Sequence, residues 1–490
     1  MKKNHFRKYA IIPLLALSLL GLPQAAGAAE SSAVTNEAGE AAANSDLVVL
    51  EEVLDLLDAY NIEGVEREQF LENAIRGAVY SLDDPYSDYF TEEELQSFEE
   101  GLNQEYVGIG ATLRYTGDKL YITDVLEGSP AATAGLKQSD IITLVDGQAV
   151  TGGEDIARIQ GQENTIVNIT VSRNGQKLNF PIKRAHFALP SVTGMLIPSS
   201  KVGYIAISSF SENADDEFAA ELSSLREQGI GALVLDLRDN LGGYVEAAAN
   251  IAKHFMKEGV LMYTADQSGT LQPYTIEGGE NIGMPVVVLT NEMTASASEI
   301  LTGALRDNGI AKVVGTHTYG KARIQNLFTL SNGGSLKLTV QRYLTPKQED
   351  FNHVGLKPDI EVGGSAPAQL ITGLYQAGVR KIELSGSPAS LTINGASFAG
   401  FVDVLEDDGK IYAPARILAA LVQGEPAWNA GAQKLTITDG SGKTIGFSKA
   451  SKSVKVVYGE SYVELHDFQQ KYPALVWSYK QGILQLSVKS

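Results

Sequence analysis

The sequence predicts a multidomain α+β protein with a helical N-terminal region, a small β domain, an α/β core and a β-rich C-terminal domain. Three observations lead there. The 490 residues are too many for one hydrophobic core. Between residues 202 and 305, apolar runs alternate with helical patterns, the mark of a layered α/β unit with a largely buried sheet. On both sides of that unit the chain breaks into short strand-like runs separated by Gly, Asn and Asp turns.

Residues 1–28 read as a secretory signal peptide. Lys2, Lys3, Arg7 and Lys8 form a basic start, Ala10 to Leu22 an apolar run broken by Pro13, and Ala26-Gly27-Ala28 a small-residue cleavage site. Export to the cell envelope or the exterior is the expectation, with a membrane tether if the segment is not cleaved, although the run is short for a span of about 20 residues. Residues 29–44 are rich in Ala, Ser, Glu and Asn and read as a flexible tether. Residues 45–101 follow a helical period: Leu50, Val53, Leu54 and Leu57 share one face, as do Phe70, Ala74, Ile75 and Ala78. Thr91 and Glu94 form a capping-box signature before Leu95 and Phe98, and Asp83 to Tyr89 is a turn between helices.

Residues 102–186 form the small β domain, with turns at Thr116-Gly117-Asp118 and Asp146-Gly147 and a short helix at Pro130 to Ala134. Residues 187–381 form the core. Its strands are expected at Val202 to Ser208, Ala232 to Leu237, Val260 to Tyr263, Val286 to Thr290 and Leu336 to Leu344. Its helices are expected at Asp215 to Arg226, Tyr244 to Phe255, Ser296 to Leu305 and Leu370 to Val379. Residues 382–490 change composition to short strands around one helix at Pro414 to Val422, and are expected to be a separate accessory domain.

Charge and composition exclude several functions. The chain carries 39 basic and 59 acidic residues, and removal of residues 1–28, with four basic and no acidic side chains, takes the formal net charge from −20 to −24. Nucleic acid is therefore not an expected partner. With no cysteine, stability must come from packed cores. The six histidines are scattered and neither H-E-x-x-H nor G-x-S-x-G occurs, so no metal or organic cofactor is expected, and neither a zinc peptidase nor an α/β-hydrolase. Gly440-Ser441-Gly442-Lys443-Thr444 resembles a phosphate loop, but the first glycine of that motif would fall at Ile437.

The chemistry concentrates in Thr294-Ala295-Ser296-Ala297-Ser298-Glu299-Ile300, followed 25 residues after Ser296 by Lys321 in Tyr319-Gly320-Lys321-Ala322-Arg323-Ile324-Gln325. A serine hydroxyl needs a base, and a lysine serves only when its surroundings suppress its charge. Lys321 and Gln325, four apart, would share one side of a helical turn. Leu235 to Gly243 (LDLRDNLGG) follows a buried strand and opens a helix, where paired glycines let backbone N–H groups approach a developing oxyanion. These motifs, with Asp84-Pro85-Tyr86-Ser87, Tyr343-Leu344-Thr345-Pro346 and His353 to Asp359, resemble the carboxy-terminal processing proteases, a serine peptidase family, over roughly residues 46–365. The resemblance implies Ser296 as nucleophile, Lys321 as general base and Gln325 as the residue that orients the lysine. It also implies an oxyanion hole from Ala297 with Gly242 or Gly243.

Within residues 102–186, Tyr106-Val107-Gly108-Ile109-Gly110-Ala111 and Pro130 to Leu136 resemble a PDZ domain. That implies polypeptide partners captured by their C-terminal tails, with Tyr106, Gly108, Ile109 and Gly110 at the bound end. Ile411 to Ile437 is similar to the accessory domain named after the N-terminal domain of copper amine oxidases. It implies no copper, because His466 is the only histidine of that region. Three positions depart from the protease pattern: Ala322 for Gly, Leu241 for Pro and Gln160 for Arg. The combined expectation is an exported serine endopeptidase that cleaves polypeptides at or near their C-termini, compatible with a homodimer through the N-terminal helices. The rival is a non-catalytic PDZ-containing binding or scaffold protein of the cell envelope.

Overall fold

The computed structural model describes residues 37–116 and 118–488, and the backbone of Ser18–Leu19, which pairs in parallel with Gly243–Tyr244. The rest of the expected signal peptide and residues 29–36 lie outside the described residues. The first helix, Glu37–Tyr60, begins inside the segment expected to be a tether. The alanines and glutamates from Glu37 onward have high helix propensity, which outweighs their shortage of bulky apolar side chains. Helices Arg67–Tyr80 and Glu92–Leu102 follow. The second is capped by Thr91 Oγ1, which accepts the Glu94 N–H (3.3 Å), while Glu94 accepts the Thr91 N–H (2.9 Å). Arg76 locks this region by pairing with Glu72 and Glu94 and donating to the Tyr89 carbonyl (2.9 Å).

The small β domain is a sheet in the order Ala111–Thr116, Lys119–Val125, Ile141–Val145, Ile166–Arg173 and Gln176–Lys183, with Gln148–Ala149 beside Ile141–Val145. Its core is Leu120, Ile122, Ile142, Val167, Ile169, Val171 and Ile182. The chain enters and leaves this unit through two strands that pair with each other, Glu105–Gly108 and Ala185–Ala188.

The core sheet runs Val192–Leu196, Val202–Ile207, Ala232–Asp236, Val286–Thr290, Ala311–Gly315 and Ile360–Glu361, parallel except for the first pair. Period-2 alternation divides its side chains. Leu233, Leu235, Val286, Val288 and Val313 pack with helices Ala214–Glu227, Val245–Ala252 and Ala297–Asp307. Val234, Val287, Leu289 and Val314 face helix Ala366–Gln376. Strands buried on both faces explain why these runs are continuously apolar. A second sheet pairs Arg323–Thr329, Ser335–Leu344, Gly259–Ala265 and Gln272–Ile276 antiparallel in that order, Ser18–Leu19 and Gly243–Tyr244 extend it in parallel, and Asp88–Phe90 of the N-terminal region joins it against Ser335–Lys337.

Residues 383–488 form three small antiparallel sheets. Besides the expected helix, found at Ala415–Leu421, a second helix runs Leu465–Lys471; its seven residues are too short for a clear period. The apolar interior of this region is continuous with one face of the core sheet: Tyr204, Val234 and Leu289 belong to the same cluster as Leu418, Phe447 and Leu484. The Tyr204 and Phe398 rings meet edge to face at 5.0 Å. The composition break near 382 therefore marks a change of architecture, beyond which the apolar interior stays continuous with one face of the core sheet. A polar contact adds to it: Arg114 of the small β domain donates to the Pro388 carbonyl (2.6 Å), pairs with Asp403 (3.0 Å) and lies over Phe401.

Candidate active site

The residues singled out near Ser296 converge at the strand ends of the core sheet. Strand Val286–Thr290 turns sharply through Ser296, whose backbone sits at φ 58°, ψ −119°, before helix Ala297–Asp307 begins. A serine at positive φ between strand and helix makes this turn a strained elbow. The turn is held from several sides. Thr294 Oγ1 donates to the Leu237 carbonyl (2.8 Å), and the Asn240 carbonyl accepts from the Ala295 N–H and the Ser298 hydroxyl, both at 3.0 Å.

The Gly-Gly loop leans directly on this turn. A side chain at Gly242 (φ +106°) would meet Ser296 Cβ at 2.8 Å and Ala297 N at 3.0 Å, and one at Gly243 (φ +140°) would meet the Phe210 carbonyl oxygen at 2.2 Å. Only glycine fits either position. The two are not equivalent, because the Gly242 N–H donates to Asn240 Oδ1 at 2.8 Å and is engaged within its own loop. Neither Leu241 nor Ala322 takes a positive φ, so both departures from the family pattern are accommodated without backbone strain.

Lys321 sits in the loop between strands Ala311–Gly315 and Arg323–Thr329 and is 1% exposed. Gln325 lies in the second of these strands, so the expected helical turn is not formed; pairing of Gln325 with Thr339 across the hairpin replaces it. Gln325 Nε2 donates to Thr339 Oγ1 (3.0 Å), and its buried Oε1 has no partner among the described residues. Burial, reinforced by the nearby charge of Lys337, pushes the Lys321 amine from 10.5 down to about 7, against the pull of Glu299 and Asp84.

Glu299 and Tyr343 tie the serine turn to the lysine loop. Glu299, fully buried, accepts the N–H groups of Ser296 (2.9 Å), Gly320 (2.7 Å) and Lys321 (2.9 Å) and the Thr318 hydroxyl (2.5 Å). Burial pushes its carboxyl upward while these four donors stabilise the charged form. The Tyr343 hydroxyl bridges the carbonyl oxygens of Ser296 and Lys321. The segment His353 to Asp359 supports the same loop: the His353 N–H donates to the Gly320 carbonyl (2.8 Å) and the Leu356 N–H to Thr318 Oγ1 (2.6 Å). Sequence reasoning gave Glu299 and Asn240 no role and Tyr343 a structural one only. For Glu299 a signal was present, since serine followed three residues later by glutamate at a helix start is a capping pattern.

Tyr106, Gly108, Ile109 and Gly110 come together elsewhere, along a groove of about 300 Å³ that Gln160 also lines. Gly110 is required by its neighbour, because a side chain there would meet Ser129 Cβ at 2.3 Å, whereas at Gly108 the nearest atom lies 3.7 Å away. Ile109 is buried in the domain core, and its carbonyl accepts from the Ala131 N–H. Among the described residues no cluster of three or more His, Asp or Glu is arranged to hold a metal ion.

Comparison with known families matches residues 201–362 to peptidase family S41, residues 107–183 to a PDZ domain, and residues 17–94 to the N-terminal domain of the activating protease CtpB, the last match beginning within the expected signal peptide. The chain is 35% identical to the carboxy-terminal processing protease CtpB of Bacillus subtilis (strain 168) over 321 residues, covering 64% of this chain and 67% of that protein. It is 34% identical to a probable CtpA-like serine protease of Staphylococcus aureus (strain COL) over 65% of each chain. The chain thus spans about two thirds of the length of these relatives. Among solved structures, the photosystem II D1 C-terminal processing protease aligns at 29% identity over 64% of this chain and 92% of its own, with a TM-score of 0.41. The extent and identity of the match to the Bacillus subtilis protein show that the chain belongs to the carboxy-terminal processing proteases of peptidase family S41, which are serine-type peptidases.

Proposed function

We propose that this chain is an endopeptidase that cleaves polypeptides at or near their C-termini through a Ser296–Lys321 dyad. The observation that carries the reading is a fully buried lysine, brought down to about 7, in a loop that Glu299 and Tyr343 fasten to the strained serine turn. Ser296 Oγ attacks the scissile carbonyl carbon as its proton passes to the neutral amine of Lys321. The C–N bond then breaks, the proton goes to the leaving nitrogen, and an acyl ester stays on Ser296. Water, losing its proton to the same amine, hydrolyses the ester and frees the new carboxyl end. The oxyanion donors are assigned to Ala297 with Gly242 or Gly243: Gly242 lies against Ser296 and Ala297 but its N–H is held by Asn240, and Gly243 is paired with Ser18. Gln325 is assigned to orient Lys321 during turnover, its Nε2 being fixed on Thr339 and its Oε1 left to receive an N–H.

Tail capture is assigned to the groove at Tyr106, Gly108, Ile109 and Gly110, beside the edge strand Ala111–Thr116 to which an extended peptide adds. Export rests on the pattern of residues 1–28, and residues 382–490 are assigned an accessory role. The exposure of Leu47, Val53, Leu56 and Leu57 on helix Glu37–Tyr60 supports pairing of two copies through the N-terminal helices.

The test is incubation of wild type, Ser296→Ala and Lys321→Ala with an unfolded protein, with products mapped by mass spectrometry. Cleavage near C-termini by wild type, and a loss of about 100-fold to 10,000-fold in Lys321→Ala, are expected. Binding of the substrate without any cleavage by wild type would favour the scaffold reading.

A further inference from the structure

The turn Asp84-Pro85-Tyr86-Ser87 precedes the small β domain, more than 200 residues before the lysine, yet it lies against the site. Tyr86 is 5% exposed, and Lys321 Nζ stands 5.0 Å from the centre of its ring. The turn is internally fixed: Asp84 accepts the Tyr86 N–H (3.1 Å) and the Ser87 hydroxyl (2.5 Å). Ser87 Oγ in turn accepts the Thr339 N–H (3.0 Å), and Thr339 Oγ1 accepts from Gln325 Nε2 (3.0 Å). A continuous chain of hydrogen bonds thus links the turn to Gln325. The next strand, Asp88–Phe90, is paired to Ser335–Lys337, which prevents the turn from swinging away.

We propose that this turn is a working wall of the active site: Tyr86 is a positioning residue that covers Lys321 and keeps water from it, and Ser87 sets Thr339 and through it the amide of Gln325. The proposal rests on the reading of Lys321 as the base. An amine stays neutral near neutral pH only while low-polarity material remains over it, and the Tyr86 ring is such material. The ring face also attracts a cation, but burial is the larger influence on Lys321. The charged groups facing the amine are Glu299 from the helix after Ser296, Asp84 from the turn itself, and Lys337 from the hairpin strand. Tyr86→Ala leaves all three in place, so a change in titration reports the entry of water. Because the turn belongs to the N-terminal region, the site is complete only when that region is docked on the hairpin.

The experiment measures kcat and KM against pH for the full chain on an unfolded polypeptide with a free C-terminus, in wild type, Tyr86→Phe, Tyr86→Ala, Ser87→Ala and Lys321→Ala. Tyr86→Phe keeps the ring and should keep the rising limb near pH 7. Tyr86→Ala should move that limb up by about one unit, lowering kcat about fivefold at pH 7 with recovery by pH 9 and little change in KM. Ser87→Ala should lower kcat severalfold without moving the limb. An unmoved limb in Tyr86→Ala, beside an inactive Lys321→Ala, overturns the wall, whereas normal turnover by Lys321→Ala overturns the dyad reading beneath it. Should Tyr86→Ala fail to fold by thermal melting, Tyr86→Leu, which retains less ring-shaped cover, gives the same reading with a smaller shift, and no shift there overturns the proposal equally.

Discussion

The two faces of the core sheet are built to opposite standards. On the side of the helix after Ser296, where the hairpin of the second sheet meets it, the structure accepts unfavourable features: a serine at φ 58°, a buried Lys321, a second buried lysine at 337 and a Gln325 Oε1 without a partner among the described residues. On the face packed against Ala366–Gln376 and the C-terminal region, a large apolar cluster surrounds one buried polar set whose members are paired: the Tyr204 hydroxyl donates to Asp236, Asp236 pairs with Arg238, and Arg238 donates to the Ala366 carbonyl. Strain and buried charge persist only where the surroundings over-determine them. The comparison locates that determination: one side carries a strained turn and buried amines, whereas the other pairs the polar groups it buries within an apolar cluster.

Three predictions test the contrast, beginning with the largest effect. Truncation after Lys381 would uncover the outer side of Ala366–Gln376 and strip Phe398 from Tyr204. At about 1.5–3 kcal/mol for each large apolar side chain re-exposed, the loss rivals the whole stability of a typical domain. The shortened chain should therefore lose its cooperative thermal transition; one that melts as wild type does would show that the C-terminal region is separable after all.

The second works on the other face. Below pH 7 the Lys321 amine is both charged and buried, so removing it should stabilise the protein. Lys321→Met should raise Tm at pH 6 by roughly 2–4 °C for each kcal/mol relieved. The sign of the pH effect follows from a folded value of about 7 against an unfolded value near 10.5. The gain should be full below pH 7 and fade as pH rises from 7 to 10.5, where the folded amine is already neutral and the unfolded chain binds the extra proton. A lower Tm for Lys321→Met at pH 6 would mean that the lysine stabilises its surroundings.

The smallest effect concerns the groove in the small β domain. Amidating the substrate's C-terminus removes the charge that backbone N–H groups near Gly108 and Gly110 are proposed to meet, and Gly108→Trp fills the groove beside Phe187. Each change should slow cleavage about tenfold where capture limits turnover. Equal rates for free acid and amide in wild type would remove the groove from the account.

Much of this arrangement was legible in local patterns. The strands Ala232–Asp236 and Val286–Thr290 announce themselves as apolar runs, Gly242–Gly243 as a strand-to-helix loop, and Ser296 as the start of an amphipathic helix. What escaped was set by contacts distant in sequence. Spacing alone placed Lys321 and Gln325 on a helix, but the hairpin partner strand Ser335–Leu344 pulls Gln325 into a sheet. Tyr86 looked like a turn residue because Lys321, its neighbour in space, lies far along the chain. The shared core of residues 383–488 escaped for a similar reason: composition reports a change of architecture, whereas the packing of Phe398 on Tyr204 depends on the tertiary fold.

The most direct test of the central claim, that neutral Lys321 activates Ser296, is the rate at which an active-site-directed phosphonate labels Ser296, followed by intact mass across pH 5 to 9. In wild type the rate should rise through a midpoint near 7 and then level off, and in Lys321→Ala it should be slow at every pH. Equal labelling of the two proteins, or a wild-type rate that does not respond to pH across this range, would contradict the claim.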